Sequence, residues 1–162
     1  MASLESRPVR TKSDSSVQRH VEEIVRASLQ TNLGLSTPVV KRKFKLGSSW
    51  VEVDCFAEAD GVVFLAEINA HHGLMKTSTR NKVLKDILKM SVLEKAMQEQ
   101  WHPRRVRKII LFTNDQAATC LTGRSWAAEA ARMLGIEPLV IVLSPQAISS
   151  LEAAQRDQDL RE

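Results

Sequence analysis

Tyrosine is absent, and the other aromatics amount to three Trp and four Phe in 162 residues. So thin a set argues against a recognition sheet that stacks nucleic-acid bases on aromatic rings. The only cysteines are Cys55 and Cys120, with no CxxC pair and no Cys/His zinc spacing, so a reducing cytoplasm is the expected compartment. No stretch approaches the roughly 20 apolar residues of a membrane span, and the N-terminus shows no apolar signal region. Repeats, low-complexity segments and a second-domain linker are also missing. What is present fits one globular domain long enough to bury a core: 43% hydrophobic and 26% charged residues. The formal net charge of +4 permits a polyanionic partner without demanding one.

The most informative stretch is residues 50–70. Trp50-Val51-Glu52-Val53-Asp54-Cys55-Phe56-Ala57 begins with the apolar/acidic alternation of a strand, and Val62 to Asn69 is a second β-rich run. Asp60-Gly61 between them is a hairpin signal, because both turn positions need positive φ. With that turn, Ala59 faces Val62, Asp54 faces Glu67 and Glu52 faces Asn69. Opposed residues share a face. One face should then carry Val51, Val53, Cys55, Ala57, Phe64, Ala66 and Ile68. The other should carry Phe56, Val63 and Leu65 near the turn and Glu52, Asp54, Glu67 and Asn69 at the far end. Like charges directly opposed are destabilising, and a divalent cation would reverse the sign. Hard cations such as Mg²⁺ or Mn²⁺ often use only one or two carboxylates.

The rest of the chain supplies the frame. Residues 1–13 read as a flexible basic arm, residues 14–155 as a single domain, and residues 156–162 as a polar tail. Asp14 or Ser15 can cap a helix to about residue 32, with Gly34 as the stop. Glu22 falls at the margin of its apolar stripe. A strand over 38–46 puts Lys41, Lys43 and Lys45 on one side. His71-His72-Gly73 marks a loop, better suited to phosphate contact or solvation than to holding a metal. A long helix over 77–100 follows, with Lys82, Lys85 and Lys89 in one polar stripe. A strand over 106–113, a helix over 115–134, an apolar strand over 138–143 and a last helix from Pro145 complete the order. Taken singly, each charge run is more often a solvated face than a binding surface.

Helix, three strands, helix, strand, helix, strand, with Glu22 in the first helix, Asp54 in the second strand and Glu67-Ile68-Asn69 in the third, resembles the PD-(D/E)xK nuclease superfamily. The resemblance covers nearly the whole chain. It implies an α/β, restriction-endonuclease-like fold: a mixed central sheet flanked by helices, in the order αβββαβαβ(α). It implies a metal-dependent nuclease hydrolysing phosphodiester bonds in DNA, with Mg²⁺ as cofactor and Mn²⁺ as substitute. Asp54, Glu67 and the Ile68 carbonyl would hold the metal, and Glu22 would support it. Asn69 stands where the family has Lys, and an amide carries no charge and cannot act as a base. Lys85, then Lys82, are the substitutes expected from the next helix, with Arg80 a third. Lys41, Lys43, Lys45, His72, Lys76, Arg80 and Lys89 are the candidate DNA contacts, with Arg104, Arg105, Arg107 and Lys108 also available. Cutting a duplex takes two sites, so a homodimer is expected. The alternative is a catalytically inactive nuclease-like module that binds nucleic acid or a protein partner.

Overall fold

At the Asp60-Gly61 turn both residues take positive φ, 53° and 74°, in the computed structural model, which describes residues 4–8 and 16–159. The hairpin it joins is β3 (Ser49–Ala59) and β4 (Val62–Asn69). Before it come β1 (Ser6–Pro8), α1 (Ser16–Leu33) and β2 (Val40–Leu46). After it come α2 (Thr77–Gln100), β5 (Arg105–Phe112), α3 (Asp115–Thr122), α4 (Trp126–Met133), β6 (Ile136–Val140) and α5 (Pro145–Asp159). The six strands form one sheet in sequence order; successive neighbours from β1 to β4 pair antiparallel, and β4, β5 and β6 run parallel. The protein is an α/β fold with a mixed sheet.

Each face of the sheet has its own core. On one, Phe44, Phe56, Leu65 and Ile110 pack under Ile87, Met90, Leu93 and Met97 of α2 and under Ala117 and Ala131 of α3 and α4. On the other, Cys55, Phe64, Ala66 and Ile109 pack under Val21, Val25 and Leu29 of α1 and Leu151 of α5. Phe44 has no solvent exposure and meets Phe56 edge-on, ring centres 5.4 Å apart.

The expected facing of β3 is corrected by a bulge. Val40 pairs with Phe56 but Arg42 pairs with Val53, so three steps of β3 run against two of β2, and Asp54-Cys55 together oppose Lys41. The extra residue reverses the alternation. Val51 and Val53 therefore pack with Phe56, Val63 and Leu65, while Cys55 and Ala57 pack on the opposite side.

Three further expectations change. Residues 6–8 of the supposed flexible arm are an edge strand, Ser6 facing Phe44 and Pro8 facing Arg42, with Leu4 buried and Arg7 4.1 Å above the Trp50 ring. An edge tolerates a proline that has no N–H to give, and the guanidinium gains an aromatic face. The rest of the arm, and the cap expected at Asp14 or Ser15, lie outside the described residues. The helix expected over 115–134 is two helices. Gly123 leaves helical geometry, in close approach to the Thr119 carbonyl that a Cβ would meet at 2.8 Å, and Ser125 caps α4 by accepting the Ala128 N–H. The last strand starts at Ile136, earlier than expected, and α5 continues to Asp159 through the expected tail, which contains no Gly or Pro to stop it.

Candidate active site

Residue pairing between β3 and β4 runs from Ala59–Val62 to Cys55–Ala66 and stops one step short of the expected Asp54–Glu67 pair. There the bulge turns β3 away, and a side chain replaces the backbone acceptor: Asp54 Oδ2 accepts the Ile68 N–H at 3.1 Å. The strands thus part at the position where the sequence places its two acids. Asp54 sits in the bulge, and Glu67 lies on the α2 side of β4.

Glu67 is 3% exposed. Burial, then the charge of Asp54, pushes its carboxyl up to about 9, with the Lys89 ammonium pulling the other way. Lys89 Nζ stands 2.8 Å from Glu67 Oε1, an oxygen sealed from solvent that makes no hydrogen bond of ordinary geometry. Burial alone would lower the Lys89 pKa, but Glu67 and Asp86 together more than offset it, so the ammonium is held charged. Asp86 is buried and fixes the arrangement, with Oδ1 3.3 Å from Lys89 and Oδ2 3.2 Å from Lys82.

On the α1 side a second lysine is surrounded by acids. Lys41 Nζ lies 2.9 Å from Glu52, 3.9 Å from Glu22 and 3.9 Å from Asp54 Oδ1. Burial again works against its charge, and the three carboxylates overcome it and raise the pKa. Arg26 ties α1 to the bulge, donating to the Asp54 carbonyl at 3.2 Å and to Glu22 at 3.5 Å.

The helix lysine beside the acids is Lys89, expected only as a DNA contact. Lys85 is exposed, and Lys82 reaches no further than Asp86. Lys89 lies twelve residues after Thr77, about 18 Å along the helix axis. The residue of α2 that meets Glu67 therefore lies well inside the helix, not in its first turns. Asn69 is buried and spends its Oδ1 on the His71 N–H at 3.3 Å; it shapes the exit from β4 rather than replacing a lysine. The His71 carbonyl in turn accepts from Asn114 at 2.8 Å.

The expected DNA contacts divide. Lys43 lies 3.6 Å from Glu52, Lys45 3.4 Å from Glu5, and His72 3.4 Å from Glu152. Lys76 and Arg80 are exposed beside the start of α2, as are Arg104 and Arg105 at the start of β5. Arg107 and Lys108 are not available to a phosphate backbone: Arg107 Nε donates to Glu137 at 2.9 Å, and Lys108, 3% exposed, is bound to Glu94.

Among the described residues no three His, Cys, Asp or Glu side chains converge as ligands of one ion. Asp54 and Glu67, with the Ile68 carbonyl, make a smaller, oxygen-only set. Oxygen-only sets of one or two carboxylates are the kind hard cations use while keeping several waters. No protein-family model matches this chain, and no curated protein matches it.

Arg26 and Asp86 were not expected at the site. Arg26 follows Glu22 by four residues, and Asp86 lies four after Lys82 and three before Lys89. Those are the spacings of ion pairs within a helix, so both were legible in the sequence. Glu52, expected on one face with Asp54 and Glu67, pairs with Lys41 instead, because the bulge was not foreseen.

Proposed function

We propose that this protein is a metal-dependent nuclease of the PD-(D/E)xK type acting on DNA, with a restriction-endonuclease-like fold. The observation that carries the reading is the Lys89–Glu67 pair at 2.8 Å, beside the point where Asp54 leaves the β3–β4 ladder. It supplies from α2 the lysine that Asn69 does not provide. A mixed sheet with helices on both faces, a three-strand antiparallel meander and a following helix also support it.

Mg²⁺ or Mn²⁺ held by Asp54, Glu67 and the Ile68 carbonyl would supply Lewis acidity toward the phosphodiester and its attacking water. The chain's own residues do the rest. Lys89, its ammonium held against Asp86 and Glu67, offers a fixed positive charge to negative charge developing on the phosphate. Asp86 and the Asp54–Ile68 hydrogen bond hold the acids and the lysine in place with little motion needed at the moment of reaction. Lys76 and Arg80 line the approach along the first turn of α2, where phosphates would gain from their charge. Cutting both strands takes two copies of the site, which a homodimer provides.

The test is incubation with supercoiled, linear and single-stranded DNA in Mg²⁺, Mn²⁺ or EDTA. Cleavage that requires the divalent ion and is lost in Lys89→Ala is the expected result. Salt-dependent DNA binding with no cleavage under any condition would replace the reading with the inactive, nucleic-acid-binding module.

A further inference from the structure

Among the described residues, every partly buried Lys or Arg but one has an acid within ion-pair reach, as Lys41, Lys43, Lys89, Arg107 and Lys108 do. The exception is Arg42 of β2, which meets no carboxylate among them. A ring holds it instead: its Cζ stands 4.6 Å from the centre of Phe56. That platform is fixed, because Phe56 is buried and packs edge-on against Phe44 and Trp101, at 5.4 Å and 6.4 Å. Arg42 Nε is sealed from solvent without a hydrogen-bond partner, whereas the two Nη groups are not sealed. A guanidinium stacked by its face keeps its N–H edge free, and two N–H groups in that edge match two oxygens of one anion. A half-desolvated charge with no counterion is costly, and an anion arriving at the open edge offsets that cost.

The place of Arg42 in the sheet is also informative. It pairs with Val53, and Val53, Phe44 and Phe56 all belong to the core under α2. Arg42 is therefore on the α2 side of β2, while Lys41 reaches the acids on the α1 side. Phe56 pairs with Leu65, and Glu67 follows two residues later on the same face. Two strand spacings separate β2 from β4, roughly 10 Å. We propose that Arg42 is a phosphate-binding residue that takes a phosphodiester of the DNA backbone through its Nη edge. The choice of DNA rests on the nuclease reading; the oxyanion chemistry does not, and inorganic phosphate shares it.

Binding of the full chain to a labelled DNA duplex in EDTA, read by fluorescence anisotropy across a salt series, tests this without cleavage. Arg42→Gln removes the charge and should bind about tenfold more weakly, with the salt slope reduced by about one. Arg42→Lys keeps the charge but not the flat fork, so its affinity should fall between those of wild type and Arg42→Gln. Arg124→Gln removes the same charge from an exposed position before α4 and should stay within about twofold of wild type. The Arg42 Nε–H resonance, assigned by its loss in Arg42→Lys, should shift when DNA is added. A shift with inorganic phosphate at matched ionic strength, and none with DNA, would keep the oxyanion site and make free phosphate its ligand. An Arg42→Gln protein that binds DNA as tightly as Arg124→Gln, with a wild-type resonance that moves with neither anion, overturns the proposal. If Arg42→Gln does not fold, Arg42→Lys and the wild-type resonance decide. Weakened binding in Arg42→Gln by a protein that cuts no DNA under any condition would refute the nuclease reading and leave Arg42 standing. Cleavage by a protein whose Arg42→Gln variant binds normally would do the reverse.

Discussion

Lys89 Nζ and Glu67 Oε1 lie 2.8 Å apart, joining the fourth turn of α2 to a residue near the end of β4. The contact fixes α2 against the sheet and places a charged lysine beside two acids. It also separates Lys89 from Lys82 and Lys85, with which it shares a helix stripe but not a role.

Lys89→Ala should lower turnover by about 10²–10³, the usual cost of losing one preorganised electrostatic contact, with substrate affinity much less affected. Lys85→Ala should stay within about twofold of wild type, since its side chain is exposed. Single-turnover cleavage separates the two effects. A Lys85 variant more damaging than the Lys89 variant would show that the wrong lysine has been assigned.

Asp86 acts through Lys89. Asp86→Ala should reduce turnover by roughly tenfold through loss of positioning, with KM little changed, and Asp86→Asn should recover part of it by keeping an acceptor near Lys89. Equal losses in both variants, accompanied by a lowered melting temperature, would point to packing alone.

Glu67 predicts an unusual pH dependence in metal-free buffer. Its folded pKa is raised to about 9, above the ordinary carboxyl value of 4.5, so the folded state binds more protons than the unfolded state between those limits. Stability should therefore fall as pH rises through that window, by at most about 1.4 kcal/mol per pH unit from this group. Glu67→Gln should flatten the fall. Denaturant melts in EDTA at pH 5, 7 and 9 measure it; parallel profiles for the two proteins would be inconsistent with a buried, proton-holding Glu67.

Divalent metal should stabilise the fold. Free ion a hundredfold above its dissociation constant contributes about 2.7 kcal/mol, or roughly 5–10 °C in a domain of this size. Asp54→Asn keeps an acceptor for the Ile68 amide yet removes the charge that a cation would use. It should gain nothing from Mg²⁺ or Mn²⁺. A metal response that persists in this variant would place the ion elsewhere.

Phe44→Ala should cost about 3–5 kcal/mol, as expected for a fully buried aromatic. Phe44 packs against Phe56 and Trp101, so the loss should be cooperative across β2, β3 and the end of α2. Urea denaturation measures it, and a cost below about 1 kcal/mol would contradict the packing on that face.

The hairpin was legible in the sequence because its information is local. Asp60-Gly61 dictates the turn, the turn dictates the register, and five successive pairs from Ala59–Val62 to Cys55–Ala66 follow it. The same holds for the apolar runs of β4 and β5, which only a buried sheet can use, and for Asp54 and Glu67 as neighbours at its end. Tertiary structure decided what the acids face. The bulge opposite Lys41 is a property of the β2–β3 pairing, and no residue in either strand announces it; yet it reverses the facing of Val51 and Val53 and turns Asp54 toward Lys41. Helical spacing put Lys82, Lys85 and Lys89 on one stripe, but how α2 docks on the sheet determined which of them meets Glu67. Period and turn chemistry act between residues close in sequence, whereas a bulge and the docking of a helix express how separate elements fit against one another, so only the folded chain fixes them.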